Sequence, residues 1–285
     1  MTSSTPQTSF TIKKPFLYFL ATASTVFFLF PFLWMFIVSI KPDPELYNLK
    51  AFPFWIKNPT LNHIAHLFRK TPFLIWARNS FVVALTSTAI SLVIGILAAY
   101  GLARIRFRGA TGFALAIFVT YLVPTSLLFL PLSSLVSLLG LSNSYWSLVV
   151  TYPSFLIPFC TWLLLGYFKT IPMSLEESAM MDGCNRLQAL IHVVLPLAVP
   201  GIVCVGLFGF TMSWQEFIYS LTFISTASQK TLPPGIVTEL IRGGDIFYWG
   251  PLMAACLLAS IPVAILYSAF LDYFVAGLTA GAVKS

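Results

Sequence analysis

The residues able to do chemistry fall in three places. One is the polar segment 169–195, which holds Lys169, Glu176, Glu177, Asp182, Arg186 and His192 between two apolar stretches. The second is Glu216, the only acidic residue well inside its apolar run, in the order Ser213-Trp214-Gln215-Glu216-Phe217. A carboxylate inside a membrane is costly and marks a functional site by default. The competing reading puts Glu216 near an interface, hydrogen-bonded to a neighbouring helix. The third is the H-x-x-H pair His63 and His66. No third ligand lies nearby in sequence, so these read as surface-loop histidines, and no metal site is expected. Ser-His-Asp order, H-E-x-x-H and suitably set carboxylate pairs do not occur, so no catalytic residues are expected. Cys160, Cys184, Cys204 and Cys256 show no C-x-x-C spacing, and three of them fall inside apolar runs as small hydrophobes.

These groups are set in a chain that is 58% hydrophobic and only 9% charged, against roughly 25% charged for an average soluble domain. So few charges cannot cover a water-facing surface. Residues 15–40, 79–103, 109–168 and 246–271 contain no Asp, Glu, Lys or Arg, and each run reaches the roughly 20 residues that cross a hydrocarbon core. Lys13 and Lys14 ahead of the first run imitate a signal peptide. The run exceeds the about 7–15 residues of such a segment, so it reads as a retained span. As a single helix, residues 109–168 would be roughly 90 Å long against a core of about 30 Å, so they must fold back, at Gly140-Leu141-Ser142-Asn143-Ser144.

The expected fold is therefore an all-α integral membrane protein of about six transmembrane helices, over 17–40, 79–102, 112–133, 145–168, 198–222 and 250–273. They form one domain, 17–273, between an amino-terminal segment 1–16 and a carboxyl-terminal tail 274–285. In the loop after the first span, Thr60 is expected to cap a helix with Leu61, Ile64, Ala65 and Phe68 on the face it lays on the membrane surface. Asp272 and Tyr273 read as interfacial anchors. The net charge of +7 is scattered at the ends of apolar segments, which argues against a nucleic-acid partner and for membrane lipid. Lys and Arg divide eight to eight between the two sets of loops. The short loops, with Arg104, Arg106 and Arg108 against an uncharged 134–144, lean towards both termini in the cytoplasm.

The polar segment reads as a helical hairpin over 172–196. Pro172 starts it, Ser174 is the expected N-cap, and Glu176 and Glu177 in the first turn match the positive end of a helix. Gly183 ends that helix with positive φ, Ala179 and Met180 offer apolar contacts, and a second short helix runs from about Cys184 to Val194 before Pro196 and the fifth span. In the order Glu177-Ser178-Ala179, Gly183, Leu195-Pro196, the segment resembles the EAA loop of ATP-binding cassette importer permeases: E-A-A, three residues, G, nine residues, I-x-L-P. Ser178 stands for an alanine and Val193 for the isoleucine.

The resemblance implies that the hairpin, through Glu176, Glu177, Ala179, Asp182, Gly183, Leu195 and Pro196, docks on a separate ATPase subunit, with Glu177 facing a basic partner. The chain has no G-x-x-x-x-G-K-[ST] loop, so ATP and Mg would be bound by that partner and the chain itself is not expected to be an enzyme. Asn79-Ser80, Ala99-Tyr100-Gly101-Leu102-Ala103-Arg104 and the tail Leu278-Thr279-Ala280-Gly281-Ala282-Val283-Lys284 look like the maltose-type sugar permeases. That likeness implies import of a sugar or sugar-like solute across a bacterial-type inner membrane. The assembly it implies has two ATPase copies, a second and different permease, and an external binding protein. Trp214, Gln215 and Glu216 are then the candidate pathway residues, because an indole covers the C–H faces of a sugar while amides and carboxylates bind its hydroxyls. The alternatives are an importer of the same build for a polyamine or other solute, and a secondary transporter. The last predicts buried carboxylates or broken-helix repeats at the midplane, for which one carboxylate is thin support.

Overall fold

The computed structural model describes residues 14–48, 50, 52–105, 107–241 and 248–280, the side chains of 278–280 excepted. Lys13, Arg106, Arg242, Asp245 and the tail from Gly281 lie outside the described residues. Among those described, every regular element is helical. In order they are α1 (Lys14–Ile40), α2 (Asp43–Leu46), α3 (Asn62–Lys70), α4 (Phe73–Arg104), α5 (Ala110–Leu122), α6 (Thr125–Leu138), α7 (Trp146–Thr151), α8 (Pro153–Phe168), α9 (Met173–Met181), α10 (Arg186–Ala189), α11 (Leu195–Trp214), α12 (Ile218–Phe223), α13 (Leu232–Leu240), α14 (Trp249–Ala269) and α15 (Leu271–Ala280).

Four helical stretches are long and apolar enough to cross a membrane by themselves, and the number is up to six if each of two bent pairs, α5 with α6 and α8 with α9, is counted as one span. On α1, Tyr18, Phe19, Phe27 and Phe28 are each about 70% exposed. A helix so apolar on its outer face needs a lipid solvent, where its own i→i−4 bonds satisfy the backbone. Inside the bundle α4 lies along α8, and α11 packs on both. A Cβ on Gly95 would meet Cys160 Cβ at 2.8 Å, so glycine is what lets those two backbones approach.

Several expected boundaries move, each for a local reason. The third span, expected over 112–133 with Pro124 inside it, breaks at Val123-Pro124, and α6 turns 94° from α5. Pro124 has no N–H and pushes Val123 into extended backbone, ψ 124°. The second span already starts at Phe73. The fifth begins earlier than expected, at Arg186, through a π-helical turn at Leu190–Val194; its main helix stops at Trp214, and the apolar stretch runs on through Ile218–Phe223, close to the expected 222. The sixth ends at Ala269, where Phe270 leaves the helix, and the expected tail is helical to Ala280. This α15 packs back on α11, with the Phe274 ring 5.7 Å from Phe208.

In the short helix α3 the expected face divides: Leu61 and Phe68 are exposed, Ile64 and Ala65 are half-buried, and His63 and Leu67 are buried against α14 and its neighbours. Its N-cap residue is Leu61, and Thr60 only accepts the Asn62 N–H. His63, expected on a surface loop, is buried with Nε2 2.8 Å from the Lys41 carbonyl. His66 is half-buried and stacks on Tyr248.

The two ends of α4 hold different loops. Near its start, Trp76 Nε1 donates to the Ala227 carbonyl at 2.7 Å, Asn79 Nδ2 to the carbonyls of Ser228 and Lys230 at 3.0 Å, and Ser80 Oγ accepts the Leu232 N–H at 2.7 Å. Beside them Asn143, at φ +60°, accepts from Ser225 and Thr226 through Oδ1 and donates to Thr226 Oγ1. The other end of α4, about 38 Å away at 1.5 Å per residue, reaches the polar hairpin.

Candidate functional site

The hairpin is fixed by short-range chemistry. α9 starts at Met173 with Pro172 as the N-cap residue, and no side chain caps it, so Ser174 does not take that role. At the other end Gly183 has φ +95°, its N–H donates to the Met180 carbonyl at 3.1 Å, and the Cys184 N–H donates to the Ala179 carbonyl at 3.0 Å. This crossed pair of bonds is a Schellman turn, which needs the left-handed residue that glycine supplies. Asn185 then opens α10 with a reciprocal cap: Gln188 N–H to Asn185 Oδ1 at 2.9 Å, and Asn185 N–H to Gln188 Oε1 at 2.8 Å. Asn185 and Gln188 carry the sequence signature of a capping box that sequence reasoning passed over.

The expected coupling residues separate in space. Glu177 and Asp182 are exposed at the tip beside Met181, which is 88% exposed, and Leu187, which is 59% exposed. Ala179 is half-buried, and its carbonyl serves the Schellman turn. Leu195 and Pro196 are not at the tip. Leu195 packs against the cluster of Leu190 and Val194, and Pro196 follows directly on the π turn at Leu190–Val194.

Glu176 is a correction to a partner-facing role, because it is 3% exposed and turned into the protein. Its carboxylate pairs with Arg104 Nε and accepts from Tyr100 Oη at 3.1 Å. Tyr100 Oη also lies 3.1 Å from the Arg186 carbonyl, and Arg104 Nη2 donates to the Ile171 carbonyl at 2.9 Å. Sequence reasoning placed Arg104 among loop charges. The signal available in the sequence is its place at the end of the stretch Ala99-Tyr100-Gly101-Leu102-Ala103-Arg104, and the structure keeps it inside α4.

At the far end of α11 the expected trio separates. Trp214 is buried and stacks on Phe210 at 5.6 Å, with Nε1 donating to the Ala259 carbonyl at 3.2 Å. Gln215 is exposed where the helix stops. Both line a cavity of about 590 Å³ with Phe32, Thr211, Ser260 and Tyr267, a volume within the usual range of small-molecule sites. Glu216 is not among its walls. Its carboxylate instead accepts the Tyr152 hydroxyl at 2.8 Å, the Tyr219 N–H at 2.8 Å and the Ser220 N–H at 3.3 Å. It thus satisfies the orphan donors of α12 and ties that helix to Tyr152, the competing reading of this residue.

Comparison with known proteins follows the same outline. Residues 91–280 match the family model described as binding-protein-dependent transport system inner membrane component. The sulfoquinovosyl glycerol transport system permease protein of Agrobacterium fabrum is 37% identical over 276 residues, 97% of this chain and 96% of that one. The trehalose/maltose transport system permease protein of Thermococcus litoralis is 33% identical over 274 residues, 96% and 98% of the two chains. Among solved structures, a bacterial ABC transporter involved in import of the acidic polysaccharide alginate superposes with a TM-score of 0.74 at 20% identity. That match covers 95% of this chain and 100% of that chain, and the likeness is one of fold.

Proposed function

The chain belongs to the binding-protein-dependent transport system inner membrane components, and from that premise we propose that its cargo is a sugar or sugar-like solute and that its 172–196 hairpin couples it to the ATPase. It is a multi-pass membrane permease subunit of an ATP-binding cassette importer. The working assembly has two ATPase subunits that bind ATP and Mg, a second and different permease, and an external binding protein. The amino terminus, the Arg104–Arg108 loop, the hairpin and the carboxyl terminus face the cytoplasm.

The observation that carries the coupling role is the exposed tip. Glu177, Met181, Asp182 and Leu187 mix charge with bare apolar side chains on a hairpin rigidly closed at Gly183 and Asn185. Such a surface suits a docking partner better than water. The sugar reading draws on the carbohydrate names of the relatives. The cavity adds a mostly apolar wall that includes the Trp214 indole, suited to the C–H face of a sugar, with the exposed Gln215 amide as a polar group; Thr211 and Ser260 already donate to the Leu207 and Leu257 carbonyls.

Co-purification of the complex with its binding protein, followed by identification of the bound cargo, tests this reading. A sugar or polyol is the expected result, and a binding protein loaded with a polyamine overturns the assignment of cargo.

A further inference from the structure

The hairpin has three routes into the membrane bundle, and they differ in stiffness. Towards α8 it is joined through the turn at Lys169–Pro172, where the chain bends by 80°. Towards α11 it is joined through the π turn at Leu190–Val194, followed by Pro196, which has no N–H to give. A π turn and a proline both weaken the ladder at that point. The third route is through space. The ion pair of Arg104 with Glu176 is nearly water-free, at 5% and 4% side-chain exposure. Arg104 and Tyr100 also bond the backbone before α9, at Ile171, and at the start of α10, at Arg186. One end of α4 is therefore fastened to the first arm by charge-assisted bonds from Arg104, while Tyr100, with one hydroxyl proton to share between Glu176 and the Arg186 carbonyl, reaches the second arm through a neutral contact. Its opposite end grips Ala227, Ser228, Lys230 and Leu232.

We infer that Arg104 and Tyr100 are positioning residues that lock the hairpin to α4, so that α4 carries hairpin movement across the membrane to the 227–232 segment. The inference rests on the coupling role given above. It assigns Glu176 to the lock and leaves Glu177 and Asp182 to the partner.

The test uses the complete importer in nanodiscs, with native cysteines replaced and spin labels read by pulsed electron resonance, without nucleotide and after trapping with ADP and vanadate. Labels at Met181→Cys and Leu97→Cys, both at exposed positions, report hairpin against α4. Labels at Met181→Cys and Leu130→Cys report hairpin against α6. The first distance is expected to stay constant within about 2 Å, the scale of small helix shifts, while the second changes by more. Glu176→Gln keeps the side-chain shape and removes its charge. It is expected to broaden the first distance and to lower solute moved per ATP hydrolysed by about tenfold, within the range of allosteric couplings. ATPase capture should be kept.

A first distance that changes as much as the second in the unmodified pair overturns the inference, and needs no variant that could misfold. A normal transport-to-ATP ratio in Glu176→Gln, or loss of ATPase capture there, overturns it as well. Failure of the coupling role itself has a separate signature: Glu177→Lys with normal capture and normal uptake, whatever the distances.

Discussion

Gly183 offers the sharpest test of how the hairpin is held. Its φ is +95°, and a Cβ built there meets no heavy atom within 4 Å. A side chain therefore costs backbone energy and nothing in packing: about 1–2 kcal/mol for an L residue held in the left-handed region. That amount corresponds to a factor of about 5–30 in the population of the closed turn. Asparagine tolerates the left-handed region, alanine less so, and β-branched valine least. Affinity of the purified ATPase for the permease complex in nanodiscs, at matched expression, should fall in the order Gly183, Asn, Ala, Val. We expect Gly183→Asn to lie near wild type and Gly183→Val to lose at least the 5–30-fold range. The bundle should remain assembled, because no apolar burial is removed. Gly183→Val binding as tightly as wild type would refute the argument. So would Gly183→Asn as damaged as Gly183→Val, since the defect would then not be one of φ.

Three further outcomes follow from the geometry. Glu177→Lys, at an exposed position, should leave expression and thermal stability unchanged while uptake falls by about tenfold or more, because reversing one charge of a desolvated pair costs several kcal/mol; full uptake would remove Glu177 from the docking surface. Glu216→Ala strands three donors, each worth about 1–3 kcal/mol when buried and unpaired. Its melting temperature should drop with the half-saturating solute concentration unchanged, whereas Gln215→Ala should raise that concentration with no loss of stability. The opposite pattern would return Glu216 to the pathway. A cysteine at Asp182 in intact cells should escape an impermeant thiol reagent while one at Ser225 reacts, and labelling in the reverse sense would invert the topology.

Much of this protein is legible without coordinates because its decisive signals are local. A run free of charge must leave water wherever it sits, and the turn at Gly140 to Ser144 lies where the only polar cluster of its stretch had placed it, with Gly140 and Asn143 at positive φ. Gly183 likewise has the positive φ that its place at a helix end calls for. Prolines show where local reading stops. Pro31, Pro158 and Pro262 stay inside helices while Pro124 breaks one, although each frees the same carbonyl. Whether a helix survives depends on what neighbouring helices offer the freed group, and that is not written next to the proline.

The sequence by itself determined the solvent of this chain, the approximate spans and the hairpin's closing turn, since burial of apolar runs and left-handed backbone are properties of a few adjacent residues. Tertiary structure alone decided which way each carboxylate faces. Glu176 and Glu177 are neighbours of the same type in one helix, yet packing against α4 turns the first onto Arg104, 72 residues away, and leaves the second in the open. Glu216 is drawn from the cavity to Tyr152, 64 residues away, by the unpaired N–H groups of α12. A buried charge goes to whatever donors the fold brings within about 3 Å, and those donors come from elements distant in the chain.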